Sequence, residues 1–262
     1  MKSIILAAGQ GTRLRPVTND IPKSMVKLFG ESILSRQIKT LHSCNIDDIS
    51  IVRGYKKNKI VFPNVTYFDN EKFSSTNMVE SLFCAQSKIS DSIIVSYGDI
   101  VYEKNVLEKL LESEDSISIV IDKNWSEYWA ERFSDPLLDV ESLTLKPDGT
   151  ITSIGQKVSE LDAIQGQYIG LMKFSKDGTE IIKDFYKHCK NESKKGKNIL
   201  NPNLPFEKSY LTDFLQGLID HGYSLKSVPI ENGWLEIDTL GDLKLYENMY
   251  TSKKLSKFYE VT

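Results

Sequence analysis

Two fixed cations bracket a glycine-bearing loop near the start of the chain. Arg13 lies inside Ala8-Gly9-Gln10-Gly11-Thr12-Arg13-Leu14-Arg15-Pro16, and Lys23 follows in Pro22-Lys23-Ser24-Met25. Gly9 and Gly11 carry no Cβ, so backbone N–H groups beside them can approach an anion, while Arg13 and Lys23 supply charge on either side. Two carboxylates stand further along: Asp99, after Gly98 at the end of an apolar run, and Asp238, in Trp234-Leu235-Glu236-Ile237-Asp238. Their oxygens suit a hard divalent ion that neutralises phosphate, which implies Mg2+, with Glu236 an alternative ligand to Asp238. Together these residues describe a triphosphate site.

Similar loops serve other chemistries, and the spacing separates them. A dinucleotide fingerprint needs a third glycine where this chain has Leu14, and no G-x-x-x-x-G-K-[ST] run exists anywhere in it. The three histidines, His42, His188 and His221, fall in helical contexts far from the loop, so no histidine base is indicated. A base of the nucleotide would meet the backbone of Leu6, Ala7 and Ala8 and the segment Ser74–Met78. There the Asn77 amide can both donate and accept, and Thr76 or Asn77 can equally cap the following helix.

The elements that must position these groups alternate in type. Short Ile/Val-rich runs at Ser3–Ala7, Ile49–Arg53, Ser92–Ser96 and Ser116–Ile121 read as buried strands, and Ser32–His42, Asn77–Gln86 and Asn105–Glu112 read as helices between them. This alternation predicts an α/β fold with a doubly wound, mostly parallel sheet, whose ligands collect at the carboxyl ends of the strands. After Asp122 an aromatic, charged segment, Trp125–Phe133, precedes two strands joined by Pro147-Asp148-Gly149. With Tyr168–Phe174 these predict a small sheet that closes over an acceptor. Residues 190–205, rich in Lys, Asn and Ser, read as a loop or lid; helix Phe206–His221, strand Ser224–Val228 and helix Leu240–Tyr250 follow. The expected organisation is one domain over residues 1–250, with a nucleotide half to about 122, an acceptor half over about 123–238, and a tail at 251–262.

A net charge of −3 with both signs interspersed in 262 residues argues against a nucleic-acid surface and for small-molecule partners. Cys44, Cys84 and Cys189 are odd in number and widely spaced, which predicts reduced thiols. The apolar run after Met1 and Lys2 is too short for a leader and passes into the glycine loop, and no run reaches membrane-span length, so a cytoplasmic protein is expected, with a homo-oligomer left open.

The motif L-A-A-G-x-G-T-R-L-R-P, followed by P-K, resembles the signature of the nucleotidyltransferase family that makes nucleoside-diphosphate sugars and CDP-alcohols. The resemblance implies a Rossmann-like nucleotidyltransferase fold, with Leu6, Ala7, Ala8, Gly9, Gly11, Thr12, Arg13, Thr76, Asn77 and Gly98 around the nucleotide. In that family a G-D after a central strand and the aspartate of a W-x-x-I-D segment hold the catalytic metal, which maps onto Asp99 and Asp238. An acceptor phosphate or phosphonate would then attack the α-phosphorus directly. Arg13 would neutralise the leaving pyrophosphate and Lys23 would steady the α-phosphate or the incoming anion.

Ser75–Leu82, Tyr97–Tyr102, Ile154–Lys157 and Gly166–Gly170 look most like the branch that transfers CMP from CTP to phosphocholine and related small phosphorylated alcohols or phosphonates. In that setting Lys157 would meet the acceptor phosphate. Trp125, Tyr128 and Trp129 either cage a quaternary ammonium, with Glu127 or Glu131 adding charge, or pack as the buried face of a helix. The competing expectations are a sugar-1-phosphate transferase using UTP, dTTP or GTP, a non-catalytic nucleotide-binding regulator on the same fold, and, least in keeping with Arg13 and Leu14, an oxidoreductase.

Overall fold

Apolar runs that are buried on both faces need a layer of cover on each side, and the chain supplies it. The structure, a computed structural model, describes residues 1–161 and 164–261. Among these a seven-stranded sheet forms from β1 (Lys2–Ala7), β4 (Asp48–Arg53), β5 (Val65–Asp69), β6 (Ile93–Tyr97), β8 (Ile117–Asp122), β11 (Gln167–Phe174) and β12 (Lys226–Ile230). Their order is β12-β8-β11-β6-β1-β4-β5. All pairings are parallel except those of β11, which runs antiparallel to both β6 and β8. The expected α/β, mostly parallel architecture is therefore present. Alternate residues of β1 serve opposite faces: Ile5 and Ala7 join one hydrophobic core, Ile4 and Leu6 the other.

Helices α1 (Ile33–Ser43), α2 (Met78–Cys84), α3 (Lys104–Glu112), α4 (Trp125–Arg132), α5 (Lys176–Ser193), α6 (Leu211–Asp220) and α7 (Leu240–Thr251) cover the sheet and close its ends. Their starts follow local chemistry. The side chain of Ser32 accepts from Ser35 N–H and that of Ser175 from Gly178 N–H, while Thr239 and Asp242 form a reciprocal capping box. Three two-stranded sheets remain: β2 (Lys27–Leu28) with β3 (Glu31–Ser32), β7 (Ile100–Tyr102) with β13 (Trp234–Glu236), and β9 (Glu141–Leu145) with β10 (Ile151–Lys157).

Three expectations are corrected. Tyr168–Phe174 does not join the small acceptor-side sheet; it is β11, inserted in the middle of the main sheet, and the small sheet consists of β9 and β10. Residues 190–205 are not one loop, because α5 runs on to Ser193 and the remainder is pinned: the Asn198 amide donates to Leu204 O and Ser209 Oγ, and Asn201 to Asp213. Residues after α7 pack back onto the core, with Leu255, Phe258 and Tyr259 buried; Thr262 of the expected tail lies outside the described residues. No helix among the described residues is long and apolar enough to cross a membrane. All three cysteines are free, and Cys189 is buried.

Candidate active site

The glycine loop leaves the carboxyl end of β1 and turns at once. Gly11 takes a left-handed φ of 64°, Thr18 Oγ1 donates to its carbonyl at 2.7 Å, and Leu14 is fully buried. The bulky residue that excludes a dinucleotide fingerprint is thus the anchor that seats this loop on the core. Beside it the turn from β6 to β7 approaches so closely that a Cβ on Gly98 would lie 2.6 Å from the Leu6 carbonyl oxygen. Only glycine fits there without a shift. Leu6, Ala7, Gly9 and Gly98 line a small pocket together with Lys23 and Asp99.

Asp99 and Asp238 are brought together by β7 and β13, whose register pairs Ile100 with Glu236, and by the Ile237 N–H, which donates to Asp99 O at 2.9 Å. Lys23 Nζ sits between the two carboxylates, 2.7 Å from Asp99 Oδ2 and 2.5 Å from Asp238 Oδ1, and Arg13 pairs with the other oxygen of Asp238. Burial alone would loosen the Lys23 proton, but Asp99 and then Asp238 and Glu236 outweigh it and hold the proton well beyond the usual lysine range. Asp99 Oδ1 is buried without a partner. Arg13, 63 % exposed at its side chain, faces the mouth.

The cleft above this cluster has a volume of about 250 Å³ and is walled by Tyr97, Tyr168, Trp129, Gln167 and further carboxylates, Asp139, Glu141 and Glu236. Gly170, at φ 83°, lets the Tyr97 ring reach the cleft; a Cβ there would meet that ring at 2.7 Å. Burial, then repulsion from Asp139, Glu236 and Asp213, pushes the Glu141 carboxyl up to about 7. Burial also raises Asp139. It raises Glu236 as well, with Arg132 pulling it back and Asp99 and Asp238 adding to the rise. Two polar atoms on this wall, Trp129 Nε1 and Gln167 Oε1, are buried without hydrogen-bond partners. Glu141, Tyr210 and Thr212 also line a second cleft of about 700 Å³, and Lys157 stands there.

Not every expected residue reaches the site. Ala8 is buried and its carbonyl accepts from Tyr55 N–H, and Thr12 supplies the carbonyl that closes the turn on Arg15 N–H. Thr76 donates to Lys72 O and accepts from the Asn70 amide. The Asn77 side chain caps α2 through Met78 N–H and donates to Lys208 O at 3.4 Å. With these bonds made, neither residue lines the cleft, and Met78, the next residue, lines it instead.

The placement of Trp125 and Tyr128 at the acceptor is also corrected, and the alternative reading, a buried helix face, holds for them. Trp125 and Tyr128 are buried in the core and do not line the cleft; only Trp129 does. Tyr128 and Trp129 have an internal partner, for the Arg132 guanidinium lies 5.4, 5.1 and 5.0 Å from the Tyr128, Trp129 and Phe133 rings, while Trp125 packs edge-on against Trp129. Arg132, Asp139, Glu141 and Gln167 are not legible beforehand. Asp242 has a local signal, since Thr239-Leu240-Gly241-Asp242 is a capping-box sequence.

Residues 3–143 match the family model described as the MobA-like NTP transferase domain. The chain belongs to that family. This NTP transferase is 38 % identical over 256 residues to the CTP:phosphoglutamine cytidylyltransferase of Campylobacter jejuni, covering 94 % of this chain and 98 % of that protein. Among solved structures, the CTP:phosphocholine cytidylyltransferase from Streptococcus pneumoniae aligns with a TM-score of 0.73 at 20 % identity, over 95 % of this chain and 98 % of that one. The inositol-1-phosphate CTP transferase from T. maritima aligns at 0.69 and 22 % identity, over 99 % and 98 %. At these identities the structural matches speak to the fold, a nucleotidyltransferase one. The NTP transferase is thus an enzyme of the nucleotidyltransferase class.

Proposed function

We propose that this NTP transferase moves CMP from CTP to the phosphoryl group of a small, amide-bearing acceptor such as phosphoglutamine. The observation that carries the reading is the convergence of Arg13, Lys23, Asp99 and Asp238 at the carboxyl ends of β1 and β6, beside the glycine loop. An acceptor oxygen attacks the α-phosphorus, the bond from that phosphorus to the bridging oxygen breaks, and pyrophosphate leaves in line. The acceptor is already an anion, so no base is needed. Lys23 steadies the α-phosphate against the approach of a second anion, and Arg13, at the mouth, neutralises the departing pyrophosphate.

The donor set fits Mg2+. Among the described residues no group of three His, Cys, Asp or Glu side chains is arranged to hold a metal ion, but Mg2+ usually takes one or two carboxylates and completes its shell with phosphate oxygens and water. Asp99, with its unpartnered Oδ1, and Asp238 would hold it. When bound, the ion would supply further neutralisation of phosphate charge.

The acceptor wall favours one class. Trp129 Nε1–H and Gln167 Oε1 lie buried beneath the wall without partners, and a small turn of either side chain toward the cleft would offer a donor and an acceptor that a carboxamide or amino-acid head can satisfy. A trimethylammonium can satisfy neither, and of the aromatic residues that would have caged it Trp125 and Tyr128 are buried away from the cleft. Phosphocholine is therefore the weaker candidate. The Campylobacter relative named for phosphoglutamine supports the same choice.

The test is pyrophosphate release with Mg2+, crossing CTP, UTP, dTTP, GTP and ATP with phosphoglutamine, phosphocholine, phosphoethanolamine, 2-aminoethylphosphonate and sugar-1-phosphates. Turnover confined to CTP with phosphoglutamine is expected. Turnover with UTP, dTTP or GTP and a sugar-1-phosphate would overturn the acceptor and the base. Binding of nucleotide with no release for any acceptor would point to a regulator.

A further inference from the structure

Arg132, in the last turn of α4, has a side chain with no exposed surface. Its Nη1 donates to Glu236 Oε2 at 2.8 Å and its Nε to Asp242 Oδ1 at 3.0 Å. The other oxygen of Asp242 accepts from the N–H groups of Asp238 at 3.0 Å and Thr239 at 2.7 Å. The residue before this segment is clamped as well: Glu236 N–H donates to Tyr128 Oη at 2.9 Å, and Tyr246 Oη donates to Glu236 O at 2.7 Å. The peptides on both sides of Ile237 are therefore held from the α4 and α7 side, while the Asp238 carboxylate points the other way, to Lys23 and Arg13.

Stability does not explain such an arrangement. Taking a guanidinium and two carboxylates out of water costs about as much as their attraction returns, and apolar side chains of the same volume fill such a site as well or better. What apolar packing cannot supply is direction. A planar fork that bonds two carboxylates at fixed angles, gripped by aromatic rings, sets where both must lie.

We propose that Arg132 is a positioning residue for nucleotidyl transfer: through Asp242 and Glu236 it fixes the Ile237–Thr239 backbone, and so aims the Asp238 carboxylate into the phosphate site. The aromatic segment of α4 thereby acquires a role, as the socket for a cation belonging to the chain itself. The proposal rests on the reading of Asp238 as a phosphate-site residue.

The experiment uses the full chain with Arg132→Lys and, separately, Asp242→Asn. Lysine keeps the charge but cannot span both carboxylates; asparagine keeps an acceptor for the backbone while giving up the charge pair. Both are expected to lower kcat about 10- to 100-fold while moving KM for CTP less than about threefold, the pattern of lost orientation rather than lost binding. Mn2+ binding in the presence of CTP, followed by water-proton relaxation, is expected to weaken by a similar factor. Amide exchange at Asp238 and Thr239 is expected to quicken while amides of β4 and β5 keep their protection.

Wild-type kcat and Mn2+ affinity in the folded variants, with only a lowered melting temperature, would overturn the proposal. If Arg132→Lys does not fold, Asp242→Asn decides alone. A parent chain that turns over no CTP would sink the proposed function, whereas local exchange at Asp238 and Thr239 would still judge Arg132, so the two failures are distinguishable.

Discussion

The Ile237 N–H donates to the carbonyl oxygen of Asp99 at 2.9 Å, and this bond joins two segments far apart in the chain into one acidic edge. It extends the β7–β13 pairing by one residue past Glu236, so the next side chain, Asp238, falls beside Asp99. Lys23 then bridges both. The Lys23–Asp99–Asp238 cluster is thus an outcome of strand register.

Asp99→Asn tests that edge most directly. The amide has nearly the same shape and keeps a carbonyl oxygen toward Lys23, so the fold is expected to persist. Turnover is expected to fall at least about 100-fold through a weakened hold on the Mg2+ that would neutralise the phosphates. Pyrophosphate release beside a circular-dichroism melt checks it, and undiminished turnover would remove Asp99 from the machinery.

Lys23→Met should be harder on the molecule. Asp99 and Asp238 are mostly buried and lose their common partner, a change expected to cost on the order of 2–4 kcal/mol in urea unfolding at pH 7. Turnover at a temperature where the variant is folded is expected to drop about 100-fold or more.

Glu141→Gln predicts a pH signature. The folded value of about 7 lies above the ordinary 4.5, so the folded chain binds this proton more tightly than the unfolded one. The resulting stabilisation is complete below about 4.5 and is lost as pH rises to about 7. Replacing the carboxyl with an amide removes that dependence. The variant should match the parent near pH 4.5 and exceed it at pH 8 by on the order of 1–2 kcal/mol, partial exposure tempering the full linkage value. Urea unfolding at the two pH values measures it, and equal stabilities at pH 8 would contradict the strained carboxylate.

Trp125→Phe separates packing from ligand recognition. Trp125 is buried and stacks edge-on against Trp129, away from the cleft. A cost of about 1–2 kcal/mol is expected, with unchanged KM for phosphoglutamine and for phosphocholine. A selective rise in KM for phosphocholine would restore the cage.

What could be read in advance follows the range of the interactions. The glycine loop, its two cations and the four strand candidates at Ser3–Ala7, Ile49–Arg53, Ser92–Ser96 and Ser116–Ile121 are local patterns, and each lies in the structure within a residue or two of its expected limits. Tyr168–Phe174 is legible as a strand but its neighbours are not, because the choice between a lid and the gap between β6 and β8 depends on residues more than forty positions away. Helix α5 hides behind its lysines, although Ser175 and the spacing of Ile182, Phe185 and Cys189 are a cap and a buried stripe. Arg132 reads as a surface charge in any single window, and its meaning arises only where α4, β13 and α7 meet.

The antiparallel insertion of β11 gives the sheet a seam. On one side β6, β1, β4 and β5 carry the glycine loop; on the other β8 and β12, with β11 itself, carry Gln167 and the approach to α4. Across the seam Tyr97 and Tyr168 meet edge to face, with ring centroids 5.6 Å apart. The glycine-loop side and the Gln167 side of the cleft therefore descend from different stretches of chain and touch along one line. A change of residues along this line on the β11 side can reshape the cleft wall while the glycine loop stays seated, provided Arg132 keeps its carboxylates and the two tyrosines still fit.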